Sequence, residues 1–265
     1  MMKTKLKSRH TKKTSKAPCE VCYSSKISKS SGLYKLKYGD TILRSYFPKS
    51  NKLQTQLQTK NKNKITLDGL KPSTKIFYFA TNHRDFTEPI QKFKDAYHHL
   101  ENSGITKTNK KGECVVNIDC PQIYIAEDGQ VYSRHLHLVY WDEKQKDWDK
   151  EIYTHQIFCG VSKSFVQKYV NSSNDVLIID ALPEDYFKKK HIKGAINLPA
   201  EKHWTLKSVM EHLPTGTHST TPMILYCYSA DCNAAEKLYI QLTNLGFYNT
   251  MHYINGISEW NGETN

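Results

Sequence analysis

The chain has 265 residues, 38% of them hydrophobic and 24% charged, enough to bury one or two cores. No run of about eighteen apolar residues occurs, so no membrane-spanning helix and no membrane partner is expected. The net charge of +12 sits at one end: residues 1–64 hold 17 Lys and Arg against Glu20 and Asp40, a balance of +15, while the rest holds 21 basic and 24 acidic side chains, a balance of −3.

Residues 1–64 are rich in Lys, Ser, Thr and Asn and short of apolar residues. Such a segment buries too little to offset its ordering entropy and is expected to be a basic, disordered arm. Its Lys7–Lys13 stretch, KSRHTKK, suits a nuclear signal or a contact with nucleic acid or another polyanion, against the plainer reading of a solvated tail. Cys19 and Cys22 form a lone CxxC with only His10 nearby, too few ligands for a zinc site. The start of the chain lacks the apolar stretch of a secretory signal, and seven cysteines fit no small disulfide framework. Free thiols in the cytoplasm are therefore expected, with the nucleus or mitochondrion as alternatives from the basic start. Heavy Lys and Asn usage suits an AT-rich genome, such as that of a large DNA virus or a protist.

Residues 65–157 read as a small α+β domain. Lys75–Ala80 is a strand, and Glu88–Gly104 reads as a helix with Ile90, Phe93, Tyr97 and Leu100 at helical spacing and Gly104 near its C-cap. ECVVNID is a second strand, and a hairpin is expected around the EDGQ turn at Glu127–Gln130, followed by a strand over Glu151–Cys159. His135 and His137 lie two apart on a strand and so share a face. With Cys114 and Cys120 they make a candidate Cys/His zinc set, against the preferred reading of a hydrogen-bonded pair and no metal. Gly129-x5-His135-x-His137 resembles the opening of a cupin metal motif, but the acid that should follow, Glu143, comes late and no second half of the motif is found.

Residues 158–265 alternate strand and helix patterns, which implies a doubly wound parallel α/β sheet. Ser162–Val170 is a short helix. VLIID is a continuous apolar run of the kind buried in a parallel sheet, and Pro183 suits the start of the next helix. Thr205–Leu213 places Leu206, Val209, Met210 and Leu213 on one helical face. MILYC is followed by a helix carrying Leu238, Leu242 and Leu245, and then by the strand Met251–Ile254.

Met223–Asn233, MILYCYSADCN, is the stretch that points to chemistry. An apolar strand ends in Cys227, a tight polar loop follows, and a helix begins. Ligands of such sheets sit at the carboxyl ends of strands. A helix N-terminus offers unpaired N–H groups and partial positive charge, both of which favour an anionic sulfur. Cys227 is thus a candidate nucleophile, against the alternative of a buried cysteine acting as a small hydrophobe.

The order of Asp175–His203 with its HIKGAINLP stretch (His191–Pro199), the strand–Cys–loop and the closing NGISEW stretch (Asn255–Trp260) resembles a rhodanese-like (sulfurtransferase) domain over Phe158–Gly262. The resemblance implies that Cys227 carries a sulfane sulfur as a persulfide, taken from a donor such as thiosulfate and passed to a thiol or other nucleophile. It implies no cofactor. Cys227, Tyr228, Ser229, Ala230, Asp231 and Cys232, with Asn233 opening the helix, would curl into a nest of amides around an exposed, ionisable sulfur, and the Ser229 hydroxyl would add a donor.

This loop departs from the family pattern. Family members commonly carry Arg at the sixth position, where this chain has Cys232 after Asp231. An exposed charge contact of this kind is worth about 1 kcal/mol, so thiosulfate is disfavoured unless Lys237 or His191 compensates. The related phosphatase loops are one residue longer and close on Arg, where this chain has Asn233. Cys232 adds the alternative of a resolving thiol that forms a disulfide with Cys227, making the domain a redox-sensing or interaction module. Asp180, His191 and Trp260 are expected to be structural.

Overall fold

The structure is a computed structural model; it describes residues 44–50, 63–170, 176–262 and 264, together with the backbone of Tyr23–Ser24 and Ser28–Lys29. The first body contains β1 (Tyr23–Ser24), β2 (Ser28–Lys29), β3 (Asn63–Leu67), β4 (Lys75–Ala80), β5 (Ile90–Gln91), α1 (Phe93–Tyr97), β6 (Ser103–Lys107), β7 (Cys114–Ile118), β8 (Tyr124–Ile125), β9 (Val131–Tyr132), β10 (His135–Asp142), β11 (Asp147–Trp148) and β12 (Tyr153–Phe158). The second contains β13 (Gly160–Val161), α2 (Lys163–Val170), β14 (Leu177–Asp180), α3 (Glu184–Lys189), β15 (Ile196–Asn197), α4 (Leu206–Met210), β16 (Met223–Tyr226), α5 (Ala234–Asn244), β17 (Thr250–Tyr253) and α6 (Gly256–Glu259).

Antiparallel pairing builds the first sheet in the order β1-β12-β10-β4-β6, with β2 beside β12 and β11 beside β10. Strand β4 is buried on both faces, and its alternation sorts its side chains. Phe77 and Phe79 pack with Phe47, Tyr97, Tyr124 and Val139 on one side, whereas Ile76, Tyr78 and Ala80 join Ile65, Val116 and Leu138 on the other.

That second cluster runs without a break into the C-terminal sheet. Phe158 stacks on Tyr239 and on His252, with centroids 4.2 and 4.8 Å apart. The His252 amide donates to the Cys159 carbonyl at 2.8 Å, and buried Arg134 reaches Asn249 Oδ1 at 2.8 Å. The C-terminal sheet is parallel throughout in the order β13-β17-β16-β14-β15, as the strand and helix alternation implies.

Several expectations are corrected. Glu88–Gly104 is not one helix: Ile90 pairs in parallel with Tyr124, Lys92 turns the chain at φ 68, and the helix lasts only five residues before Leu100 adopts φ 58. Tertiary pairing of β5 with β8 has overridden the helical periodicity. Gly104 is no C-cap; it lies in β6 opposite Tyr78, whose ring fills the space a side chain would need. On α4 only Val209 of the helix is buried and Leu213 follows it, while Leu206 and Met210 are 51% and 37% exposed. Within residues 1–64, Phe47 lies in the core, and β1 and β2 pair with β12. Lys7–Lys13, Cys19 and Cys22 lie outside the described residues. The thiols are not all free, since Cys120 and Cys159 form a disulfide with Cα atoms 5.9 Å apart.

Candidate functional site

Strands β14 and β16 bring two chemically distinct residues to the carboxyl edge of the parallel sheet. MILY of β16 is fully buried, and the strand hands the chain to Cys227; β14 ends on Asp180, in register with Tyr226. The HIKGAINLP stretch braces this edge. The Ile192 amide donates to the Tyr226 hydroxyl at 3.0 Å, the Leu198 amide donates to the Asp180 carbonyl at 2.9 Å, and Asn197 Nδ2 reaches the Asp180 and Leu182 carbonyls.

The loop after Cys227 is turned so that its first carbonyls face outward. The Ile257 and Ser258 amides at the start of α6 donate to the carbonyls of Cys227 and Tyr228 at 3.0 and 2.9 Å. Gly256 makes this possible: it sits at φ +57, and a Cβ there would collide with the Cys227 and Tyr228 carbonyls. With those carbonyls engaged, four main-chain amides turn to the two loop sulfurs. The amides of Tyr228 and Ala235 reach Cys227, and those of Tyr228, Ser229 and Ala234 reach Cys232. Asn233 at the N-cap of α5 makes no side-chain cap, which leaves the first amides of the helix to the sulfurs.

The exposure expected of the sulfur is not found. Cys227 is fully buried, with 0% of its surface accessible, and its Sγ lies 3.3 Å from the Cys232 carbonyl oxygen and 3.8 Å from that of Ser229. The physical reason is the closed loop itself, in which the Cys232 amide donates back to the Ser229 carbonyl at 3.0 Å. Interaction with the Cys232 side chain, followed by burial, pushes the Cys227 thiol up, while the amides of Ala235 and Tyr228 pull it down. Cys232 is half-buried and is pushed the other way, first by the hydrogen bond from Cys227 and then by the amides of Ala234, Tyr228 and Ser229. Cys227 and Cys232 therefore titrate as a pair rather than singly.

The rest of the loop is open. Tyr228 is 56% exposed, Ser229 and Ala230 are half-buried, and Asp231 and Asn233 are exposed. Ser229 acts through its main-chain groups. His191 is held by its own helix, with Nδ1 2.7 Å from the Phe187 carbonyl and its ring stacked on Phe187, and Lys237 is exposed on α5. Trp260 is buried and closes the core. At Asp180 burial raises the carboxyl to about 6 against the Leu182 amide, the Tyr226 hydroxyl and the His191 charge, and the charge on Cys232 raises it further. Sequence reasoning missed Gly256, Ala234 and Ala235; the Asn255-Gly256 pair after a strand was the available signal for the first of these.

The histidine pair on β10 is a hydrogen-bonded cluster. Tyr97 Oη lies 2.7 Å from His135 Nε2 and 2.9 Å from His137 Nε2, His135 Nδ1 donates to the Ser133 carbonyl at 2.6 Å, and His137 Nδ1 is 3.0 Å from Thr154 Oγ1. Burial holds His135 down to about 4 and His137 well below its ordinary value, so both are neutral. The Cys/His zinc set is not assembled: Cys120 is spent in the disulfide, and Cys114 packs on the other face of the sheet with Tyr78. Glu143 is bonded to Lys146 at the surface. No group of three or more His, Cys, Asp or Glu suited to a metal occurs among the described residues, nor does a helix long and apolar enough to cross a membrane.

Residues 163–263 match the family model described as "Rhodanese-like domain". No curated protein matches the chain. Similar solved structures include the BH2092 protein from Bacillus halodurans at 24% identity and TM-score 0.35, aligned over 40% of this chain and 75% of that one. The Saccharomyces cerevisiae single-domain sulfurtransferase RDL2 aligns at 18% identity and TM-score 0.34, over 38% of this chain and 86% of its own. EanB in complex with hercynine aligns at 19% identity and TM-score 0.33, over 40% of this chain and 26% of its own.

Proposed function

The C-terminal part of the chain, residues 163–263, is a rhodanese-like domain, and on that premise we propose that the protein is a sulfurtransferase carrying a sulfane sulfur as a persulfide on Cys227. The observation that supports this reading is the place of Cys227 at the carboxyl end of β16, where its loop leads into the N-terminus of α5. In the loading step the Cys227 proton passes to the Cys232 thiolate as Cys227 Sγ attacks the sulfane sulfur of the donor. The bond within the donor breaks, and its electron pair leaves with the remainder, sulfite in the case of thiosulfate. The amides stabilise the charge that remains on the outer sulfur without a proton transfer of their own.

Asp231 stands in a loop that lacks the usual cation, so a less anionic donor, such as mercaptopyruvate or a polysulfide, is favoured over thiosulfate. Incubation with each donor followed by intact-mass measurement tests the reading. Gain of one sulfur by the wild type and its loss in Cys227→Ser is the expected result. No gain from any donor, or a gain that survives Cys227→Ser, refutes it.

The contact between the two thiols favours a second reading, in which an oxidant closes a Cys227–Cys232 disulfide and the domain serves as a redox-sensing module, with the basic segment docking on a polyanion. Salt-sensitive RNA binding that vanishes on removal of residues 1–64 is its expected signature.

A further inference from the structure

We propose that Cys232 discharges the Cys227 persulfide within the loop, so that the domain releases hydrosulfide and closes a Cys227–Cys232 disulfide that an external dithiol then reduces. The inference rests on the persulfide reading and specifies the fate of its sulfur.

A persulfide offers two sulfurs to a nucleophile. An external acceptor takes the outer one; attack on the inner one, Cys227 Sγ, expels the outer sulfur as hydrosulfide. Cys227 has no accessible surface at rest, so the loop must open for a donor to load it, and once loaded an external acceptor meets the outer sulfur first. Cys232 is already against the inner sulfur: Cys227 Sγ lies 3.3 Å from the Cys232 carbonyl oxygen, and the two side chains are close enough to interact. The turn that holds Cys232 there is closed by the hydrogen bond from its amide to the Ser229 carbonyl at 3.0 Å. Cys232 is a free thiol, it is half-buried rather than enclosed, and the amides of Ala234, Tyr228 and Ser229 favour its thiolate. Among the described residues the remaining free cysteine, Cys114, lies in the other body on β7.

The step balances without an added oxidant. The Cys232 thiolate forms a bond to Cys227 Sγ as the bond from Cys227 Sγ to the outer sulfur breaks. The electron pair of that bond leaves with the outer sulfur, which takes the proton that Cys232 accepted in the loading step and departs as hydrosulfide. Two cysteines are oxidised to a disulfide, and the sulfane sulfur is reduced to sulfide by the same two electrons. A dithiol returns two electrons and two protons to restore the paired thiols. The place that family members commonly give to a cation is thus taken by a second nucleophile.

The test is a single turnover of the full chain, its loop thiols reduced and the reductant removed, with thiosulfate and, separately, mercaptopyruvate as donors. Sulfite or pyruvate reports loading, trapped hydrosulfide reports discharge, and a non-reducing peptide map reports the disulfide. The wild type is expected to release one hydrosulfide per sulfur loaded and to accumulate Cys227 linked to Cys232, while Cys232→Ser retains the extra sulfur on Cys227 and releases none. A wild type that loads and then keeps its persulfide, with no such disulfide, overturns this inference and leaves the persulfide reading standing. Failure of both donors to load wild type and Cys232→Ser alike removes the persulfide reading and this one with it. Because the wild type alone reports both products, the inference stays testable even if Cys232→Ser folds or loads poorly.

Discussion

Replacing Gly256 with alanine should damage the thiol loop more than any other single methyl group. Two costs add. The residue sits at φ +57, where a side chain costs about 1–2 kcal/mol. The new Cβ also collides with the carbonyls of Cys227 and Tyr228, so the start of α6 must withdraw and loosen the hydrogen bonds from Ile257 and Ser258, each worth about 1 kcal/mol. The expected loss is about 3–4 kcal/mol. Gly216→Ala is the control: that residue has φ +91 with open space around it, so it should lose only the conformational part, about 1–2 kcal/mol. Urea unfolding measures the difference, and ultraviolet absorbance of the thiolate follows ionisation of the Cys227–Cys232 pair. Freed carbonyls let the loop peptides rotate, so the amides no longer hold the charge and the thiolate should appear at higher pH in Gly256→Ala only. Equal destabilisation by the two substitutions, with an unchanged thiol titration, would refute the argument that α6 fixes the loop.

Acid should unfold the protein early. His135 and His252 are held neutral at about 4 and His137 also far below 6.5, so the unfolded chain takes up protons first, and stability present above 6.5 is lost as pH falls toward 4. Net of the opposing contribution from Asp180, His135 and His252 alone should cost about 2 kcal/mol between pH 7 and about pH 5, with His137 adding in the same direction, and a urea midpoint that does not move across that range would contradict it. Asp180 has the reverse sign: its carboxyl is raised to about 6 by burial, so stability falls as pH rises from 3.8 through 6. Asp180→Asn should therefore gain about 1–3 kcal/mol over the wild type at neutral pH and nothing near pH 4; equal gains at both would show that the charge is not the cause. The Cys120–Cys159 disulfide closes a separation of 39 residues, for which loop closure gives about 4 kcal/mol, so Cys159→Ser or a reducing agent should lower the urea midpoint accordingly. An unchanged midpoint with two free thiols in the peptide map would count against the bond.

Much of the C-terminal half was legible because its signals are local. VLIID and MILYC are apolar runs too short for helices and bounded by turn residues, and both are buried strands of one parallel sheet. Leu238 and Leu242 bury as their spacing implies. The first body was less legible. Ile90, Tyr97 and Leu100 are buried as the pattern demanded, yet by a strand, a short helix and a left-handed turn rather than by one helix, since β8 offered Ile90 a partner that its local sequence does not reveal. Likewise Tyr97 joins His135 and His137 from nearly forty residues away, and no spacing rule links them.

The sequence by itself determined that a cysteine ends a buried strand, that a polar loop and a helix N-terminus follow, and that the family's basic residue is absent. These are properties of neighbours along the chain. Tertiary structure alone decided how each loop thiol is buried and which main-chain groups it meets. Cys227 is enclosed because α6, some thirty residues downstream, takes its carbonyl, while Cys232 meets amides from both ends of the loop. Ionisation depends on burial and on the orientation of dipoles, and both are set by segments far apart in the sequence.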